Sequence, residues 1–132
     1  MLAVGCAPEY PAEAGEKSGV AWETTLESGV ARAAEQDKPV FVKFYASWCA
    51  PCRKLDAETL SDTGVRAALK GFVLVRIDVD KQEATAKEYA VEYLPTLAVL
   101  DASGKRLAEA EGFVDAEALL GLLNEGLKAA ES

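Results

Sequence analysis

The run Val40-Phe41-Val42-Lys43-Phe44-Tyr45-Ala46-Ser47-Trp48-Cys49-Ala50-Pro51-Cys52 passes without interruption from a β-rich apolar segment into a Cys-x-x-Cys pair. Residues 40–46 are nearly continuously apolar, the signature of a strand covered on both faces. This predicts a central strand. Immediately upstream, Asp37-Lys38-Pro39 stops a helical pattern set by Leu26, Val30, Ala33 and Ala34, and Val20-Ala21-Trp22 before it reads as a short strand. Downstream of the cysteines a helix is expected through Leu55 and Leu60. Ser61-Asp62-Thr63 then starts a second short helix carrying Val65, Ala68 and Leu69. Phe72 to Asp80 repeats the buried-strand pattern, and Ala84 to Tyr89 is a polar helix. Leu94 to Leu100 and Arg106 to Glu111 flank the turn residues Asp101-Ala102-Ser103-Gly104, which predicts a hairpin. Asp115 caps a last helix with Leu119, Leu120, Leu123 and Leu127 inward. The order βαβαβαββα, with parallel and antiparallel parts, places the chain in the α/β class, a central mixed sheet flanked by helices on both faces.

Disulfide exchange needs two thiols close enough to bridge, one to attack and one sheltered to resolve the mixed disulfide. Two intervening residues at the start of a helix meet that need. Cys49 falls at the helix N-terminus, where unpaired backbone N–H groups and the positive end of the helix dipole favour thiolate, and Pro51 suits the first helical turn. Cys49 is therefore the expected nucleophile and Cys52 the resolver. Two other readings compete. A zinc half-site would need two more ligands, and the only other cysteine is Cys6. Two plain core cysteines would fit poorly with a neighbouring Trp48 and an intervening Pro51.

Composition narrows the chemistry further. The 132 residues carry a formal charge of −8, which argues against nucleic acid as a partner, because phosphate contacts need clustered Lys and Arg. The sequence has no histidine, which removes the usual general base and the usual zinc ligand. No apolar run reaches the ~20 residues that span a bilayer. Residues 1–19 read as a flexible tether and residues 20–132 as one domain. Within the tether, Met1-Leu2-Ala3-Val4-Gly5-Cys6 is similar to the end of a bacterial lipoprotein signal, with Cys6 as the lipid acceptor; the alternative is a disordered N-terminus with an incidental cysteine.

With the motif set in this frame, the sequence resembles the thioredoxin superfamily from Val20 to Leu127. Leu94-Pro95-Thr96 stands where that family places a cis-proline facing the disulfide. The resemblance implies a substrate-binding set of Trp48, Ala50, Pro51, Leu94 and Pro95. Within the superfamily the chain is similar to the C-terminal domain of DsbD-type thiol:disulfide interchange proteins. Lys38-Pro39-Val40, Cys52-Arg53-Lys54-Leu55-Asp56, Thr59-Leu60-Ser61-Asp62 with Val65, and Gly112-Phe113-Val114-Asp115-Ala116-Glu117 carry that likeness. It implies a protein-disulfide reductase that takes electrons from a thiol donor and passes them to disulfide-containing proteins, with no cofactor and as a monomer. It also implies a periplasmic location, tethered to the membrane if Cys6 is lipidated; a true start at Met1 would leave the protein in the cytoplasm.

One position departs from the family. Where thioredoxin-like reductases carry a buried aspartate on the motif strand, this sequence has Lys43. A cation there favours thiolate on the cysteines, unless Lys43 snorkels to solvent and touches nothing. Asp56 lies seven positions after Cys49 and four after Cys52 and so shares their helix face. The DsbD-type resemblance makes it the candidate for proton handling, against an ordinary solvated helix aspartate. Of Arg76, Asp78 and Asp80, at most one is expected to face the site. Trp22 reads as structural, and Tyr45 as either core or contact surface. The alternatives to a reductase are an oxidase or isomerase of protein disulfides, and a non-catalytic assembly or metal-delivery module holding a soft ion such as Cu(I) between two thiolates.

Overall fold

The computed structural model describes residues 21–131; the expected tether, Cys6 and Val20 lie outside them. The chain forms β1 (Trp22–Glu23), α1 (Leu26–Gln36), β2 (Val40–Tyr45), α2 (Ala50–Lys54), a π-helical turn (Leu55–Thr59) and α3 (Thr63–Leu69). It continues as β3 (Val73–Asp78), α4 (Glu83–Glu88), β4 (Thr96–Leu100), β5 (Arg106–Glu111) and α5 (Ala116–Glu131). The strands order as β1-β3-β2-β4-β5, with β1, β3 and β2 mutually parallel, β4 antiparallel to β2, and β5 antiparallel to β4. This is the expected mixed sheet, with the motif strand β2 at its centre.

Alternation along β2 sends its side chains to two cores. Phe41 joins Leu55, Leu60, Leu97, Leu119 and Leu123 under α2, α3 and α5. Val40, Val42 and Phe44 join Val75, Ile77 and Ala98 on the opposite face, against Ala33 of α1. Helices therefore cover both faces, as expected. Burying each such Leu or Phe contributes roughly 1.5–3 kcal/mol, so a strand with both faces covered is anchored twice. Lys43 shares the pleat side of Phe41, which points it toward α2 rather than α1.

Local chemistry sets the element ends. Thr25 Oγ1 accepts from the Ser28 amide at the start of α1, and Asp37, at φ 55°, ends that helix in the left-handed region. Asp62 Oδ2 accepts from the Val65 amide at α3, and Asp115 Oδ1 from the Ala118 amide at α5. In the β4–β5 turn, Asp101 Oδ1 accepts from the Ser103 amide, the Ser103 hydroxyl and the Lys105 amide, and Gly104 takes φ 95°.

Several boundaries and faces differ from expectation. The first strand is Trp22–Glu23, and β4 begins at Thr96 rather than Leu94, because Pro95 has no amide to give the ladder. The helix after the cysteines changes its winding at Leu55, where the Leu60 amide reaches back five residues to the Leu55 carbonyl at 2.9 Å. On α5 the buried set is Leu119, Leu122, Leu123 and Gly126, while Leu120 and Leu127 are only partly covered. The last two line an open groove between α3 and α5. Gly126 sits where β4 comes closest, since a Cβ there would lie 2.7 Å from Val99 Cβ.

Candidate functional site

β2 ends at Tyr45 and the backbone turns at once, the Cys49 amide donating to the Ala46 carbonyl at 3.2 Å. Cys49 is the N-cap of α2: its backbone is extended, at φ −86° and ψ 108°, and its Sγ accepts the Cys52 amide at 3.1 Å. The sulfur thus occupies the place that a Ser or Asp oxygen takes at other helix starts. Pro51 lies in the first turn, where its missing N–H leaves no intrahelical bond unmade. Cys49 and Cys52 are joined in a disulfide with their Cα atoms 5.3 Å apart. Both are buried, at 3% and 0% exposure, while Ala50 and Pro51 between them stand exposed. Ala46, Tyr45, Val79 and Leu94 pack around the pair. Leu94 brings with it the Leu94–Pro95 peptide, which is cis, so the loop before β4 and the cysteine turn meet.

Beneath the α2 face of the sheet lies a buried ion pair. Lys43 Nζ donates to Asp56 Oδ1 at 2.8 Å, and the two residues are 3% and 1% exposed. The Lys43 ammonium also stands over two aromatic faces, 4.8 Å from the Trp22 ring centre and 5.3 Å from that of Tyr45. Burial pushes the Tyr45 phenol above its ordinary pKa, with the Arg76 charge pulling the other way. Asp56 belongs to the π-helical turn, which turns Leu55, Asp56, Thr59 and Leu60 all inward. Thr59 Oγ1 ties that turn to the chain before α5 by donating to the Val114 carbonyl at 2.6 Å. Among the described groups, Asp56 Oδ2 is a buried side-chain oxygen with no hydrogen-bond partner.

At the surface, Trp48 is 66% exposed, and its indole N–H donates to Asp80 Oδ2 at 2.9 Å. Asp80 lies just past β3, and its own amide donates to Asp78 Oδ1. Arg53 braces the cysteine turn from the other side by donating to the Ser47 carbonyl at 2.7 Å. Tyr93, 59% exposed, precedes Leu94 on the second loop.

The structure therefore places Cys49, Cys52, Trp48, Ala50, Pro51, Leu94 and Pro95 around one spot, and buries Lys43 against Asp56. It corrects two of the alternatives open in the sequence. Lys43 does not snorkel to solvent, because its ammonium finds a carboxylate and two rings inside. Asp56 is not a solvated helix aspartate, because the π-helical turn carries it inward. Of Arg76, Asp78 and Asp80, Asp80 bonds the Trp48 indole, while Arg76 and Asp78 pair in register with Lys43 and Tyr45 across the β2–β3 ladder. The sequence reading missed Tyr93, and its position directly before Leu94-Pro95 was the available signal.

The family model described as thioredoxin-like matches residues 21–102. The chain belongs to the thioredoxin-like family. It is 37% identical over 101 residues to the thiol:disulfide interchange protein DsbD of Vibrio vulnificus, covering 72% of this chain and 17% of that one. This chain thus spans only a small part of that relative. A thioredoxin-like protein of Synechocystis is 39% identical over 87 residues, covering 66% of this chain and 80% of its own. Among solved structures, the oxidised C-terminal domain of Neisseria meningitidis DsbD superposes with a TM-score of 0.68 at 28% identity, covering 80% of this chain and 99% of that one. Family membership and the Cys49–Cys52 pair together support thiol–disulfide oxidoreductase chemistry in this thioredoxin-like chain.

Proposed function

We propose that this thioredoxin-like chain is a protein-disulfide reductase. The observation that carries the exchange chemistry is the place of Cys49 Sγ at the α2 N-cap, accepting the Cys52 amide, a position that favours the attacking thiolate once the disulfide is opened; the reducing direction rests on the DsbD-type likeness. The Cys49 thiolate attacks a partner disulfide: a Cys49–partner S–S bond forms, the partner bond breaks, and the departing partner sulfur takes up a proton. The Cys52 thiol then loses its proton and attacks Cys49 Sγ. This re-forms the Cys49–Cys52 disulfide and releases the second partner sulfur as a thiol. Two electrons have passed to the partner, and an external dithiol donor restores the reduced pair. Asp56 is the proposed acceptor for the Cys52 proton, since it follows Cys52 by four residues along one winding helix and keeps a buried oxygen unoccupied.

The pairing of Lys43 removes one argument for the opposite, oxidising direction. An isolated cation beneath the cysteines would stabilise the reduced thiolates and make the disulfide oxidising. Here the lysine charge meets a carboxylate at 2.8 Å, and the field of such a pair falls off faster than that of a lone charge. Trp48, Ala50, Pro51, Leu94 and Pro95 form the proposed contact surface for the partner. Residues 1–19 are the proposed tether, with a lipid on Cys6 holding the domain in the periplasm. Unmodified Cys6 in protein from the native membrane fraction, read by mass spectrometry, would overturn that part.

The deciding experiment equilibrates the protein against graded thiol buffers and counts free thiols. A potential near or below about −220 mV supports a reductase, whereas one near about −120 mV makes the protein an oxidant and overturns the reading. Failure to close the internal disulfide would favour a metal-delivery or assembly role instead.

A further inference from the structure

Among the described residues two large hydrophobic side chains stand exposed, Trp48 and Tyr93, and they occupy the two loops that meet at the disulfide. Both loops are fixed from within. The Trp48 indole is held by Asp80, and the Tyr93 carbonyl accepts the hydroxyl of Thr96, a residue only 1% exposed, at 2.6 Å. On the far side of Tyr93, Leu94 is packed against the cysteines and Pro95 is buried. The Tyr93 ring is thus an exposed aromatic on a rigid mount, with few torsions left to freeze on contact. Such rings make effective anchors, because they bring large apolar area at little entropic cost. Burial in this fold does not account for the ring, since more than half of it faces solvent.

Resting on the exchange reaction proposed above, we propose that Tyr93 determines which partner segments react. Its ring and that of Trp48 receive an apolar side chain beside the cysteine of an extended partner segment. An attacked cysteine must come to Cys49, which brings its sequence neighbours over the loop that carries Leu94. A Leu or Phe there meets the Tyr93 ring, whereas a Ser or Asp leaves the ring in water.

The test uses the reduced full chain and two synthetic octapeptides, each with one cysteine in mixed disulfide with thionitrobenzoate, and with Leu or Ser beside that cysteine. Release of thionitrobenzoate is followed, and each rate is divided by that of the same variant with dithiobis(nitrobenzoate), which has no peptide. The wild type is expected to favour the Leu peptide by about tenfold. Tyr93→Ala should bring that ratio close to one, and Tyr93→Phe should keep most of it. Equal ratios for wild type and Tyr93→Ala, or a wild type indifferent to the two peptides, would overturn the inference. A wild type that reacts with neither peptide nor dithiobis(nitrobenzoate) would instead overturn the exchange reading on which it rests.

Discussion

A lysine and an aspartate buried against each other make the residue in the family's usual carboxylate position intelligible. Neither charge is tolerable alone in that core, and removing one partner of a buried pair costs roughly 3–5 kcal/mol because the other is stranded. Lys43→Met should therefore destabilise the protein by about that amount in urea unfolding. Lys43→Met with Asp56→Leu should return most of the loss, since both desolvation penalties disappear together. An equal loss in the single and double variants would show that the pair does not act as a unit. The sequence located both residues but not their union, which spans thirteen positions and two elements. No local periodicity reports that distance. Tyr93 was hidden for the opposite reason: aromatic residues near strand ends usually pack inward, and only the folded loop shows this one outside.

At the scale of the elements, patterning carried most of the fold. Apolar runs made β2, β3 and β4 readable, and Asp101 to Gly104 announced the hairpin. The π-helical turn had no such signal, because its sequence is ordinary helix; the bond that ties it to the chain before α5, from Thr59 to the Val114 carbonyl, spans fifty-five positions. Leu120 and Leu127 pack on the edge of the core rather than inside it, and Leu122 joins the buried set, because Leu recurs so often on α5 that more than one stripe looks apolar. The hairpin also carries a pH dependence. The Ser103 hydroxyl bond, with the Lys105 and Ser103 amides, holds the Asp101 carboxyl below its ordinary value of 3.8. A depressed folded value means that this stabilisation is complete above the unfolded pKa and is lost as pH falls through the folded one. Asp101→Ala should cost on the order of 1 kcal/mol at pH 7. In thermal melts the gap from wild type should narrow progressively below about pH 4. A gap of constant size down to pH 2 would remove Asp101 as its source.

For the molecule as a whole, the sheet edges govern association. β1 is only two residues long, and β5 exposes Arg106, Glu109 and Glu111 along the other edge. Short and charged edges resist strand pairing between copies. Sedimentation should accordingly show a single-chain species at micromolar concentration, and Glu109→Val with Glu111→Val should shift it toward larger ones. A wild type already dimeric under those conditions would contradict this use of the edges.

Closure of the Cys49–Cys52 bond encircles only two residues, in a turn already held by the Ala46 carbonyl and by Arg53. Opening it gives the chain little freedom, so both redox forms share one fold and can be melted separately. The four states, folded or unfolded and open or closed, then form a thermodynamic box. The difference in unfolding free energy between the two forms must equal the difference in disulfide equilibrium between native chain and coil. A reductant requires the closed form to melt higher; an open form that melts higher would reveal an oxidant without any electrode or thiol buffer. Calorimetry and electrochemistry are, for this small ring, two readings of one equilibrium.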